Sequence, residues 1–154
     1  MAIVFGDISK ASSTATVTAT VTVQNISLEM VENGTISYGT IGLSSTKDTV
    51  TLGTTPVANN NGNVNEDFGL QGTDSTSWTL SSDTGAETYF HKVCTADCGS
   101  SGSWANLSTG GYYTIVQGIA TGNSQPFDLR VGTPTSTSDY DQQNVNVSVQ
   151  ASAN

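Results

Sequence analysis

Residues 14–24 read Thr-Ala-Thr-Val-Thr-Ala-Thr-Val-Thr-Val-Gln, an unbroken alternation that puts Ala15, Val17, Ala19, Val21 and Val23 on one face and five threonines on the other. Successive side chains of a β-strand point to opposite sides, so a period of two predicts a strand here. The chain closes on the same pattern, with Val145, Val147, Val149 and Ala151 facing one way and Asn144, Asn146, Ser148 and Gln150 the other. Branching at Cβ restricts Val and Thr to rotamers that pack well on a pleated surface.

Between these ends, short strands are predicted over about 35–38, 49–52, 64–70, 77–82, 86–93, 112–117 and 126–131. No stretch carries apolar residues at three- and four-residue spacing over ten positions, so no helix is predicted. The connectors carry turn chemistry: Asn33-Gly34, Gly62 within 59–63, Thr84-Gly85, Gly99 to Gly102, Gly110-Gly111 and Thr121-Gly122-Asn123. Asn and Gly tolerate the positive φ that tight hairpins demand. About nine short strands at this spacing imply two antiparallel sheets packed face to face, an all-β sandwich of jelly-roll or Ig-like type. Residues 14–154 form that domain, and residues 1–13 form an N-terminal extension.

Composition adds an environment. Of 154 residues, 56 are Ser, Thr or Asn, while only 11% are charged. Cytoplasmic domains take about a quarter of their residues from Asp, Glu, Lys and Arg, so a hydroxyl and amide coat points to a secreted surface protein. The net charge of -9 comes from 13 acids against four scattered cations, Lys10, Lys47, Lys92 and Arg130. Four cations make no basic stripe for nucleic-acid phosphates or for an anionic membrane. No run approaches the roughly 20 apolar residues of a membrane span. The apolar start Met1-Ala-Ile-Val-Phe5 lacks the basic flank and length of a signal peptide, so an exported chain would be a mature or trimmed form.

Cys94 and Cys98 are the two cysteines. Four positions along an extended strand span about 13 Å, against the roughly 4.4 to 6.8 Å between Cα atoms that a disulfide allows, so bridging requires a turn. Gly99 to Gly102 follow at once and supply one. A disulfide is the preferred reading and implies an oxidising compartment. The rival is a metal site from His91, Cys94 and Cys98 with Asp97, which lacks the usual zinc spacing and a second ligand pair.

Catalytic signatures are missing. The single histidine, His91, allows at most one His-based acid/base centre, and no nucleophile elbow, zincin or phosphate-loop motif occurs. The chain is therefore read as non-enzymatic, its acids as solvated turn and edge residues. Clustered oxygens could suit Ca²⁺ near Asn59, Asn61 and Asp67, or around Asp139 and Asp141, without the EF-hand pattern. Four glycosylation sequons start at Asn25, Asn33, Asn106 and Asn146, about as many as chance gives at this Ser and Thr content. Trp78, in Ser-Trp-Thr-Leu, is assigned to the core. Trp104, with Tyr112 nearby, is the better surface candidate for stacking on a sugar.

The run Gly34-Thr-Ile-Ser-Tyr-Gly-Thr-Ile41, the segment Asn60-Asn-Gly-Asn-Val64 and the closing Val-Asn-Val-Ser-Val-Gln-Ala resemble Thr/Ser/Asn-rich β-sandwich proteins of prokaryotic cell surfaces. The domain is similar in kind to subunits of extracellular fibres such as TasA-like matrix filaments and archaeal bundling pili. The resemblance implies a secreted jelly-roll or Ig-like subunit that polymerises by donating a terminal strand to its neighbour's sheet, and it brings no catalytic residues.

The residues themselves add a separate argument for self-assembly. Residues 1–24 hold an apolar tip (Ile3, Val4, Phe5, Ile8), a polar step over 10–13, and then the Thr/Val strand with Val17, Val21 and Val23. An apolar terminus of a small domain needs a groove to lie in, its own or a neighbour's. A head-to-tail strand contact between copies does not close on itself and generates a filament. The expectation is an extracellular homopolymer subunit. Its alternatives are a secreted carbohydrate- or ligand-binding module and a viral capsid or fibre component.

Overall fold

The computed structural model describes Met1 and residues 13–154. Eleven strands and one helical turn follow in order: β1 Leu28–Glu32, β2 Thr46–Asp48, α1 Thr49–Leu52, β3 Val57–Asn60, β4 Glu66–Gly72, β5 Thr79–Leu80, β6 Thr88–Cys94, β7 Ala105–Asn106, β8 Tyr113–Ile119, β9 Ser124–Pro126, β10 Asp128–Gly132 and β11 Val147–Ala153. The all-β expectation holds. Three sheets, of order β1-β3-β9, β11-β4-β8 and β2-β10-β6-β5 with β7 on β6, enclose one core. Every pairing between named strands is antiparallel except β5 with β6.

Strand β8 runs directly into β9 through the turn at 120–123, where Asn123 N–H donates to the Ala120 carbonyl. The two three-stranded sheets are therefore consecutive, and their outermost strands are β1 at one end and β11 at the other. Phe68 and Leu70 on β4, Val93 on β6, Leu129 on β10 and Ala58 on β3 meet in the core with Phe127, Leu107 and Ile119. The strand predicted over 64–70 corresponds to β4, where Glu66, Phe68, Leu70 and Gly72 are buried and the residues between them are not. The strands predicted over 77–82, 86–93, 112–117 and 145–151 correspond to β5, β6, β8 and β11. The strand over 126–131 is split at Phe127 into the end of β9 and the start of β10.

Three expectations are corrected. Residues 49–52 form α1 instead of a strand, because the Asp48 carboxylate accepts from Thr51 N–H as an N-cap and Gly53 closes the turn at φ 66°. Residues 35–38 join no sheet. The period-two stretch 14–24 also pairs with no strand among the described residues, and sheet structure begins only at Leu28. Local propensity favours extended backbone in both segments, but a ladder also needs a neighbouring strand with free hydrogen-bonding groups.

Cys94 and Cys98 form the predicted disulfide, with Cα atoms 5.7 Å apart across a turn in which Asp97 takes a positive φ of 53°. The metal alternative falls with it, since both thiols are consumed. Reduction of this bridge is expected to lower stability by only about 2 kcal/mol, the chain-entropy value for so short a loop. A small shift of the urea midpoint with an unchanged far-ultraviolet spectrum is the measurement to make.

Candidate functional site

A groove of about 990 Å³ opens among the described residues, at the upper end of the roughly 300–1,000 Å³ of small-molecule pockets. Its floor comes from the inner face of β6 and β10, with His91, Leu129 and Val131, together with Phe127. One wall is the end of β1 and the segment 33–43 that follows it; the other is the segment 139–146 and the start of β11. Both wall segments are largely without ladder pairing, although their flanking strands belong to sheets. The floor residues are buried, whereas Met30, Ile36, Ile41, Val145, Val147 and Val149 on the walls are only half-buried.

This arrangement follows from the topology. β1 pairs only with β3, and β11 only with β4, so each keeps one edge without a strand partner among the described residues. Met30 of β1 and Val147 and Val149 of β11 line the same groove. Each exposed edge presents a row of backbone N–H and C=O groups that a further extended chain can satisfy. The groove combines an apolar floor, walls that mix apolar side chains with polar ones such as Ser37, Gln143 and Asn146, and flanking strands that each keep one edge without a partner among the described residues.

The ribbon of residues 13–24 is solvent-exposed throughout, with Val17 91%, Val21 90% and Val23 79% accessible. Ile3, Val4, Phe5 and Ile8 lie outside the described residues. The ribbon joins the fold at a well-bonded root. Asn63 Oδ1 accepts from Asn25 N–H at 2.7 Å, Asn63 Nδ2 donates to the Val23 carbonyl at 2.9 Å, and Asn63 N–H donates to the Asn25 carbonyl at 3.0 Å. The buried Glu66 carboxylate accepts from Ser27 N–H at 2.8 Å. Leu28 lies opposite Asn60 and Ala153 opposite Glu66, so the root and the end of β11 share one end of the sheets. The groove walls extend from the other end, following β1 and preceding β11.

His91, on the floor, is 1% exposed; its Nε2 lies 3.1 Å from the Tyr38 hydroxyl, while Nδ1 has no partner among the described residues. Burial pushes its pKa down to about 4, so it is neutral at pH 7. Burial first, then the Asp48 charge, raises the Tyr38 phenol above its ordinary range, so that group stays protonated. On the wall, the Asp139 carboxylate is held below the usual range by the Ser77 hydroxyl first, helped by Asp141 N–H and Gln143 Nε2.

The remaining predicted sites are dispersed. The Asn59 amide donates to Ser124 Oγ and the Gly122 carbonyl, and Asp67 Oδ1 accepts from Gly118 N–H and Asn154 Nδ2. Asn61 uses its backbone N–H on the Ser27 carbonyl. These contacts are structural, and no group of three His, Cys, Asp or Glu suited to a metal occurs among the described residues. Trp78 is half-buried against Tyr89, its Nε1–H donating to Thr137 Oγ1. Trp104 carries the Arg130 guanidinium 4.0 Å from its ring centroid, and that guanidinium is paired with Asp48 at 3.1 Å. Tyr112, 42% exposed, stands on the separate approach to β8. Asn25, Asn33, Asn106 and Asn146 are all exposed, Asn33 and Asn146 on the groove walls. No helix among the described residues is long and apolar enough to cross a membrane.

Sequence reasoning missed the groove, since an unfilled strand position leaves no residue pattern of its own. The available signal was the short run Ile36-Ser-Tyr38, extended by propensity yet enclosed by Gly34 and Gly39. Comparison with protein-family models, with curated proteins and with solved structures finds no match to this chain.

Proposed function

We propose that the protein is a non-enzymatic structural subunit of an extracellular filament, in which the period-two ribbon of one copy, outward of Val23, occupies the groove of the next. The observation that carries this reading is the pairing of complementary parts within one molecule: a groove lined from two strands that each keep an edge without a strand partner among the described residues, and an exposed period-two ribbon that likewise has none. The Ala/Val face of the ribbon suits the apolar floor, and its threonine face suits solvent. Root and groove lie at opposite ends of the sheets, so one copy fills the next without closing a ring. Each added backbone hydrogen bond contributes about 0.5 to 1.5 kcal/mol and each buried valine about 1.5 to 3 kcal/mol, which together can exceed an association cost of about 4 to 15 kcal/mol.

The disulfide supports an oxidising, extracellular location, in line with the resemblance to surface-fibre subunits. A sugar-binding role has less support, because Arg130 already covers one face of Trp104. Electron microscopy and sedimentation of the purified chain test the proposal. Filaments that vanish on deletion of residues 1–24 are the expected result. Monomers in both preparations, with glycan binding lost on Trp104→Ala, would replace it with the binding-module reading.

A further inference from the structure

The root of the ribbon is held more firmly than a passive linker needs. We propose that Asn63 and Glu66 form a clamp that fixes the direction in which the ribbon leaves the domain, so that it is offered to a second copy and kept out of its own groove. This inference rests on the strand-donation reading and adds to it the residues that set the polarity of the joint.

The clamp grips consecutive outward steps of the chain. Glu66 holds Ser27, the backbone and side chain of Asn63 hold both hydrogen-bonding groups of Asn25, and the Asn63 amide reaches the Val23 carbonyl. Beyond Val23 no further bond to the ribbon occurs among the described residues, so restraint covers only the inner end of the Ala/Val and Thr alternation and leaves residues 14–22 outside the clamp. Gly62 makes the grip close: a Cβ there would lie 2.3 Å from Glu66 Oε1 and 2.4 Å from the Asn25 carbonyl oxygen, so only glycine admits this approach. A carboxylate buried from water is a costly way to hold one N–H. Its position at the base of an exposed donor strand gives it a reason to be there. With the last held residue pinned, the ribbon projects from the end of the sheets opposite the groove walls. Reaching its own groove would require it to fold back along β1, and breaking the outermost bonds lengthens the free tether and permits that fold-back.

Asn63→Ala is the discriminating variant, because Asn63 is exposed and its backbone bonds remain. Three measurements on the full chain suffice: melting temperature, capture of a labelled synthetic peptide of residues 13–25, and filament elongation with its axial repeat. Asn63→Ala is expected to melt like the wild type, but to elongate at least tenfold more slowly. Peptide capture is expected to fall as the chain's own ribbon competes for the groove. Asn63→Asp, which keeps the acceptor for Asn25 N–H and loses the donor to Val23, is expected to fall between the two. Elongation at the wild-type rate and repeat in Asn63→Ala would overturn the clamp and leave strand donation standing. Failure of the wild-type chain both to elongate and to capture the peptide would remove strand donation itself, and the clamp with it.

Discussion

Aspartate at both Val17 and Val21 is expected to abolish filament formation while leaving the melting temperature of the domain within about 4 °C of wild type. Both side chains are about nine-tenths exposed, and neither belongs to the core. Exposed substitutions usually change stability by no more than about 0.5 kcal/mol, and a domain of this size shifts by about 2–4 °C per kcal/mol. Buried in a neighbour's groove, the same positions have a different weight. Each valine lost removes about 1.5 to 3 kcal/mol of apolar burial, and each uncompensated carboxylate adds a desolvation penalty of several kcal/mol. The joint would weaken by more than about 6 kcal/mol, over 10⁴-fold at roughly 1.4 kcal/mol per decade. The period of two supplies the control. Thr16→Asp with Thr20→Asp places the same two charges on the opposite face, where solvent remains, and elongation is expected within tenfold of wild type. Sedimentation velocity with electron microscopy reads both pairs, and equal loss from the two would exclude insertion of a ribbon with one face inward.

How the chain conceals its own site is instructive. The closing strand could be read directly, because Val145, Val147, Val149 and Ala151 alternate with polar residues and β11 pairs along its whole length with β4. The disulfide was readable from the turn that the cysteine spacing requires, the glycines that follow it and the lack of a usual zinc spacing. Elsewhere local pattern and tertiary pairing diverge. Thr-Val-Thr-Leu at 49–52 has the β-branched residues of a strand, yet a capping carboxylate before it and a glycine after it wind it into one helical turn. β3 reads poorly as a strand because it ends in Asn59-Asn60. Asn60 is nevertheless fully buried, its amide donating to the Val64 and Ile119 carbonyls and its Oδ1 accepting from Gly62 N–H. Satisfied in this way, a polar side chain can occupy an inward position that propensity assigns to a loop. Buried Glu66 in β4 is satisfied only in part: Oε1 accepts from Ser27 N–H at the ribbon root, while Oε2 has no partner among the described residues. The ribbon and the wall at 36–41 carry strand propensity without a strand partner. Propensity reports only how well a backbone would pair, and the identity of the partner is a property of the assembled surface.

Acid is expected to destabilise the domain in two separable stages, and the first belongs to His91. Its pKa falls from an ordinary 6.5 to about 4 on folding because burial disfavours the charged ring. Between these values the unfolded chain binds a proton that the folded chain refuses, so stability rises with pH across this window and is lost as pH falls from about 6.5 to about 4. At 1.36 kcal/mol per unit the full loss is about 3 kcal/mol. No carboxylate stands within ion-pairing distance of the ring among the described residues; its neighbours are the aromatic rings of Tyr38 and Tyr89, with centroids at 6.0 and 6.5 Å. The second stage begins lower. Asp67, Glu87 and Asp139 have carboxyls held below their usual range by hydrogen bonds, from Asn154, Thr137 and Ser77 first respectively, and these contributions disappear only as pH falls through their folded pKa values. His91→Gln offers Tyr38 a non-titrating hydrogen-bond partner. Urea midpoints measured from pH 7 to pH 4.5 are expected to fall steeply in the wild type and to stay nearly flat in this variant, whatever its stability at pH 7. A slope that survives the substitution would assign the first stage to another group. Because His91 lies on the groove floor and Tyr38 on its wall, charging the ring places an uncompensated cation beneath the site where the ribbon is proposed to seat. In the folded domain the ring charges only as pH falls through about 4, so capture of the ribbon peptide is expected to weaken there and to be unaffected by His91 above it.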